Sequence, residues 1–281
     1  MLKNKGKLIL ARFLLKFGQN AEDFKMKKYT AVALLVSGLS AFSGAASAAW
    51  NWDLSCGDFA CSQTVSDSQT SNPVGGPSVT VTGWSASNSG SSLSQGYIES
   101  WNGVGVHYSD ESTASPNHAM DNNGRFESVL LNFGADIQLD SVGLGWVYNN
   151  DRRRSDFFVL AYTGSAVFSG DLTGKSYSDL LSLGSGWTLV GNSGGSGTGD
   201  YTLSAGSTYS SFWLIGAGAV SGTSVGYGSN NSYNDYMKVA SVGGSVKPPS
   251  HDNNVPEPGS LALAGLGVLG LVGMRRRKSG R

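Results

Sequence analysis

Three histidines (His107, His118, His251) and two cysteines (Cys56, Cys61) are all that this 281-residue sequence holds of the side chains that most often carry catalysis or bind transition metals. No histidine has a partner at metal-ligand spacing, so no transition-metal site is expected. His118 stands three residues before Asp121 in "HAMDNNGRFE". A Ser/His/Asp triad assembles in space, so a secreted hydrolase stays open as a third reading. The G-x-S-x-G elbow that would present a nucleophile is missing, and a non-enzymatic protein is expected. Asp121, Asn122, Asn123 and Glu127 offer hard oxygen ligands. Structural calcium is conceivable there, but the EF-hand glycine comes too early and the closing glutamate is absent from its place, which favours a polar turn before a strand and no cofactor. "GDLTGKS" has three residues between Gly170 and Gly174 where a phosphate loop needs four, so a hairpin turn with Lys175 in solvent is expected. "GNSGGSGTGD" has glycines at many spacings and reads as a loop.

Two further sets could meet a ligand. Arg152, Arg153 and Arg154, between Asp151 and Asp156, are the one basic knot in an acidic region. They could hold an anionic exopolysaccharide, or form a solvated loop. Trp84, Trp101, Trp146, Trp187 and Trp213 could stack on sugars or fill a core. Strand alternation sets Trp146 beside Leu144 and Tyr148 on one face, and burial is expected for it.

The elements that must position these residues are short strands. Period-two runs between Gly, Ser, Asn and Asp connections predict strands at 78–84, 127–133, 142–148, 156–162, 200–203, 211–215 and 236–242, with a single short helix at 177–183. Strands at this spacing without amphipathic helices predict an all-β body, an antiparallel β-sandwich of jelly-roll type. The 40 glycines fit its turns.

The zero net charge conceals three unlike parts. Residues 1–28 carry eight basic and two acidic side chains, and the chain after Met274 carries five basic ones and no acids. Between Trp50 and Val255, seven Lys/Arg face seventeen Asp/Glu, about −10 in all, which argues against nucleic acid as a partner. Lys27 and Lys28 precede an apolar run at 31–42 and the small-residue site Ala46-Ser47-Ala48, the three parts of a secretory signal peptide cut after Ala48. A membrane anchor is the alternative, though the run is shorter than a span requires. Residues 1–25 read as an upstream extension from a mis-assigned start. Export to an oxidising compartment suits a Cys56–Cys61 disulfide across "CGDFAC", adding on the order of 2 kcal/mol.

At the other end, Pro256-Glu257-Pro258 precedes the apolar run 261–274, then Arg275, Arg276, Arg277 and Lys278. As a helix the run rises about 21 Å against a hydrocarbon core of roughly 30 Å, a short transmembrane helix at best. The basic cluster keeps that end cytoplasmic. Pro256 and Pro258 hold the backbone extended ahead of the membrane. Ala264, Gly267, Gly270 and Gly273 leave a bare stripe on the helix, open to another membrane helix or merely glycine-rich.

This tail resembles the PEP-CTERM sorting signal of Gram-negative exosortase substrates, and the stretch from Asn122 to Gly164 resembles, more loosely, the bodies of such surface proteins. The resemblance implies recognition by an integral-membrane exosortase and processing near Pro-Glu-Pro. The expected plan is an extension (1–25), a signal peptide (26–48), a β-sandwich domain (49–247), a spacer (248–254) and a sorting tail (255–281). Signal peptidase, the general secretion machinery and exosortase are the expected partners. The protein would be exported, held transiently in the inner membrane, then placed on the cell surface or in the extracellular matrix as a non-enzymatic component. A surface-displayed carbohydrate-binding module is the alternative.

Overall fold

The computed structural model describes residues 49–55, 67–112, 114–148, 155–226 and 234–249, which hold fourteen strands and one short helix. The organising element is β7, Phe126–Val147, 22 residues long. The sequence predicts two strands here, at 127–133 and 142–148. They form one, because "GADIQLDS" between them stays extended and paired on both edges.

The first half of β7 pairs with β3 (Val79–Ala86), from Ala86 opposite Phe126 to Val79 opposite Phe133. Its second half pairs with β14 (Tyr236–Val246), from Met237 opposite Val147 to Val246 opposite Ile137. Between these partners run β4 (Ser94–Ser100) and β5 (Val104–His107), each antiparallel to its neighbours. The circuit β3–β4–β5–β14–β7–β3 therefore closes as a five-stranded ring within one twelve-stranded sheet. The all-β expectation holds. The hydrogen bonding does not divide into the two separate sheets of the expected sandwich, since one long strand belongs to both halves and welds them.

Beyond β7 the sheet continues through β11 (Ser210–Ala217), β8 (Ser155–Tyr162) and β9 (Trp187–Ser196). Shorter strands complete it: β1 (Ala49–Asp53) beside β14, β2 (Ser68–Ser71) beside β3, β6 (Met120–Asp121) beside β14 and β10 (Gly199–Thr202) beside β7. A separate two-stranded ribbon joins β12 (Ala219–Ser221) to β13 (Ser224–Gly226).

Strands β8 and β11 and residues 127–131 of β7 are buried on both faces, which explains why "SVLLNF", "DFFVLAY" and "FWLIG" read as nearly unbroken apolar runs. One face sends Val129, Leu131, Phe157, Val159, Trp213 and Ile215 into the larger core with Trp52, Ile98 and Val106. The other sends Leu130, Phe158, Leu160 and Leu214 into a second core under Trp84 and Tyr177.

Tyr177 opens α1 (Tyr177–Leu180), whose N-terminus is held by a capping box: Asp179 N–H donates to Ser176 Oγ and Ser176 N–H to Asp179 Oδ2. The predicted helix at 177–183 stops early. Leu181 is its C-cap, and a turn follows in which Ser185 N–H donates to Ser182 O, with Gly184 at φ 80°.

Candidate functional site

Along β4, residues Gln95, Tyr97 and Glu99 alternate outward from the ring, and Trp101 continues that row. Tyr97 is 37% and Trp101 48% exposed, unusual for aromatic side chains beside a packed barrel. Under them lies a closed basic cluster. His107 of β5 stacks on Tyr97 with ring centroids 5.5 Å apart, and its Nδ1 stands 3.8 Å from Glu99 Oε1. His118 sits between Trp101 and Trp146, at 6.1 and 5.7 Å. Lys238 is fully buried, with Nζ 5.9 Å from the Trp101 ring centre. Among the described residues, His107 Nδ1, His118 Nε2 and Lys238 Nζ have no hydrogen-bond partner. Burial pulls the Lys238 ammonium down to about 8, with Glu99 opposing, and burial followed by Lys238 lowers His118.

Backbone contact makes this closure possible. Gly105 has no Cβ where the His118 carbonyl rests, and Gly145 none where the Asn102 carbonyl rests. Gly145 is also skipped in the register between β7 and β14, so Leu144 and Val147 both face the core. Trp146 is consequently half-buried, against the expectation of burial, because the bulge resets the alternation that the sequence suggested.

The oxygen-rich turn is tied inward. Asn122 Nδ2 donates to Asp235 Oδ2 at 2.7 Å, Asn123 Nδ2 to the Tyr236 hydroxyl at 2.6 Å, and Asp121 N–H to Glu127 Oε2 at 3.2 Å. Asp121 Oδ1 accepts from Asn123 N–H, and His118 Nε2 is unpaired, so the His118–Asp121 contact that a triad would use is not made. Burial raises Asp121 to about 8 and Asp235 to about 7, and burial, Asp121 and Glu111 push Glu127 well above the carboxylate range. Among the described residues no three His, Cys, Asp or Glu side chains are gathered to hold a metal.

A third feature lies where β8 meets β9. Tyr162 pairs with Trp187, and Thr163 N–H donates to Gly186 O at 2.7 Å. Gly164 and Gly186 lie against each other, and with no Cβ on either the Tyr162 ring lies across both. Phe168 packs at 5.1 Å from Tyr162, 5.4 Å from Trp187 and 4.8 Å from Phe212, and all four rings are half-buried. Open hollows of about 500 and 360 Å³ adjoin at the Tyr162–Phe168 pair.

Of the other predicted residues, Trp84 and Trp213 are core. Lys175 is exposed, as expected, after Gly170 and Gly174, both at positive φ, but the turn is not the expected hairpin: it leads into the four-residue helix α1. Arg152, Arg153, Arg154, Cys56, Cys61, Ala46, Ala48, His251, Pro256, Glu257, Pro258 and Arg275 to Lys278 lie outside the described residues, as do the apolar runs at both ends. Among the described residues no helix is long and apolar enough to cross a membrane. Sequence reasoning passed over Tyr97, Glu99 and Lys238; the alternation in "YIESW" was the available signal for the first two.

The PEP-CTERM protein-sorting motif matches residues 254–278. The chain thus carries the tail its last residues suggested, and that motif implies export, exosortase-dependent processing and sorting to the cell surface. No curated protein and no solved structure shows a significant match to the chain.

Proposed function

We propose that this protein is a non-enzymatic component of the cell surface or extracellular matrix, exported by a cleaved signal peptide, held briefly in the inner membrane and processed by exosortase near Pro256-Glu257-Pro258. The carrying observation is the sorting motif at 254–278, downstream of an acidic β body. In the test, the 256–281 deletion is compared with the full chain by fractionation, and the mature termini are read by mass spectrometry. The deletion should release the body to the periplasm or medium, and the termini should fall after Ala48 and near Pro-Glu-Pro. Surface placement that survives the deletion overturns the proposal.

A second reading, a surface-displayed carbohydrate-binding module, is favoured by aromatic rings left at the surface of rigid strands: Trp101 and Tyr97 on the β4 row, Trp187 and Tyr162 beside the hollows. Such rings offer flat apolar faces to the C–H side of a pyranose while neighbouring hydroxyls serve its oxygens.

A further inference from the structure

We infer that the paired hollows at the β8–β9 end form a two-subsite cleft for an uncharged oligosaccharide, with Tyr162 and Phe168 as the saddle between successive sugar rings. The inference rests on the carbohydrate-binding reading and assigns that reading a site.

The larger hollow, about 500 Å³, is within the usual size range of ligand pockets and is floored by Trp187, Phe168 and Tyr162. Lys175, Asp179, Ser182 and Ser185 supply its polar wall. The smaller, about 360 Å³, shares Tyr162 and Phe168 and adds Thr163, Tyr209, Ser210 and Ser211. Aromatic floors under hydroxyl-bearing walls match a sugar, which has apolar C–H faces and a polar rim. A lipid tail would need an enclosed apolar slot, and these hollows are open and edged by hydroxyls.

Charge decides between glycans. The larger hollow sets one cation, Lys175, beside one anion, Asp179, and in the smaller Asp136 is matched by Lys247 at 3.4 Å. Neither hollow has surplus positive charge, and the region between the two termini carries about −10, which repels a polyanion. A neutral chain meets no such penalty. Leu183 and Val167, which line the two hollows, are both fully exposed, and no described residue buries them. The packing of Tyr162 across Gly164 and Gly186 and the α1 capping box hold the aromatic and polar sides in place before any ligand arrives, which lowers the ordering cost of binding.

The test titrates the purified full chain with cellohexaose, xylohexaose and mannohexaose, with polygalacturonate as the anionic comparator, by tryptophan fluorescence and calorimetry. At least one neutral hexasaccharide should bind, and Trp187→Ala should weaken it about tenfold or more. Ser182→Arg alters an exposed residue and leaves the ring cluster intact. It should weaken binding similarly with an unchanged melting curve, and Val74→Ser, at an exposed side chain that lines neither hollow, should bind as the parent does. Neutral-sugar binding that survives both cleft variants, or that is replaced by polygalacturonate binding alone, overturns the cleft while leaving the carbohydrate reading standing. No binding of any of the four glycans overturns both. A dimer in sedimentation that Ser182→Arg separates would show that a second copy covers the hollows, and would also overturn the inference.

Discussion

Asn122 and Asp235, 113 residues apart, hold each other through three hydrogen bonds: Asn122 Nδ2 donates to Asp235 Oδ2 at 2.7 Å, Asp235 N–H donates to Asn122 Oδ1 at 2.7 Å, and Asn122 N–H donates to Asp235 O at 3.3 Å. The other oxygen of Asp235, Oδ1, accepts from Asp156 N–H at 2.7 Å. One buried carboxyl thus joins the turn after β6, the start of β8 and the approach to β14.

That junction should be sensitive to truncation. Asp235→Ala removes the carboxyl that accepts from the Asn122 amide and the Asp156 N–H in a buried place, and we expect a loss of about 2–5 kcal/mol in denaturant unfolding. Asn122→Ala orphans the carboxyl and should cost about 1–3 kcal/mol. Additive losses in the double variant would show that the pair is not coupled.

Stability should fall with rising pH over much of the usual range. Asp121 at about 8 and Asp235 at about 7 are both raised from 3.8. Between about pH 4 and 8 the folded protein keeps protons that the unfolded chain has released, so each pH increment weakens folding. Lys238 is lowered from 10.5 to about 8, so between those values the unfolded chain holds the extra proton and stability recovers as pH rises. A Tm that declines from pH 5 to a minimum near 8 and then climbs is the expected profile. A Tm rising from pH 5 to 8 would contradict it.

Lys238→Met should stabilise the protein. The ammonium is fully buried, Nζ has no hydrogen-bond partner among the described residues, and methionine fills similar volume without a charge to desolvate. We expect a gain of about 1–3 kcal/mol at pH 6, shrinking above pH 8 as the parent lysine loses its proton. An equal gain at pH 6 and pH 10 would mean that charge is not the cause.

Gly105→Ala should destabilise by about 1–3 kcal/mol, since the new methyl would enter the His118 carbonyl and lift the 108–119 segment off β5. Gly124→Ala meets no neighbouring atom, and strain at φ 82° alone should cost it about 1 kcal/mol. Amide exchange at Ala119, whose N–H donates to Pro116 O, should accelerate in the first variant only.

The strands were legible where residues of one type run together. Val79–Ala86, Ser155–Tyr162 and Ser210–Ala217 fall within two residues of the runs read for them, because apolar β-branched and aromatic side chains demand a pleated surface to fill. β1, β2, β4, β5, β6, β9, β12 and β13 were not read. In β2, β4, β9, β12 and β13 the Gly, Ser and Thr content resembles that of loops, while β1, β5 and β6 are five residues or fewer and take their pairing from neighbours distant in the chain. Trp146 was misread for a related reason: a bulge is a property of two strands in register, and one strand's alternation does not contain it.

Taken alone, the sequence determined the all-β character of the body and the sorting tail at 254–278, since local composition, order and terminal position carry both signals without help from folding. Only the tertiary structure decided that β7 closes a five-stranded ring, that Lys238 lies buried beneath Trp101, and that Tyr162, Phe168 and Trp187 line one hollow. Each depends on hydrogen bonds or packing between segments tens of residues apart, and no local pattern records which distant partner a strand will meet.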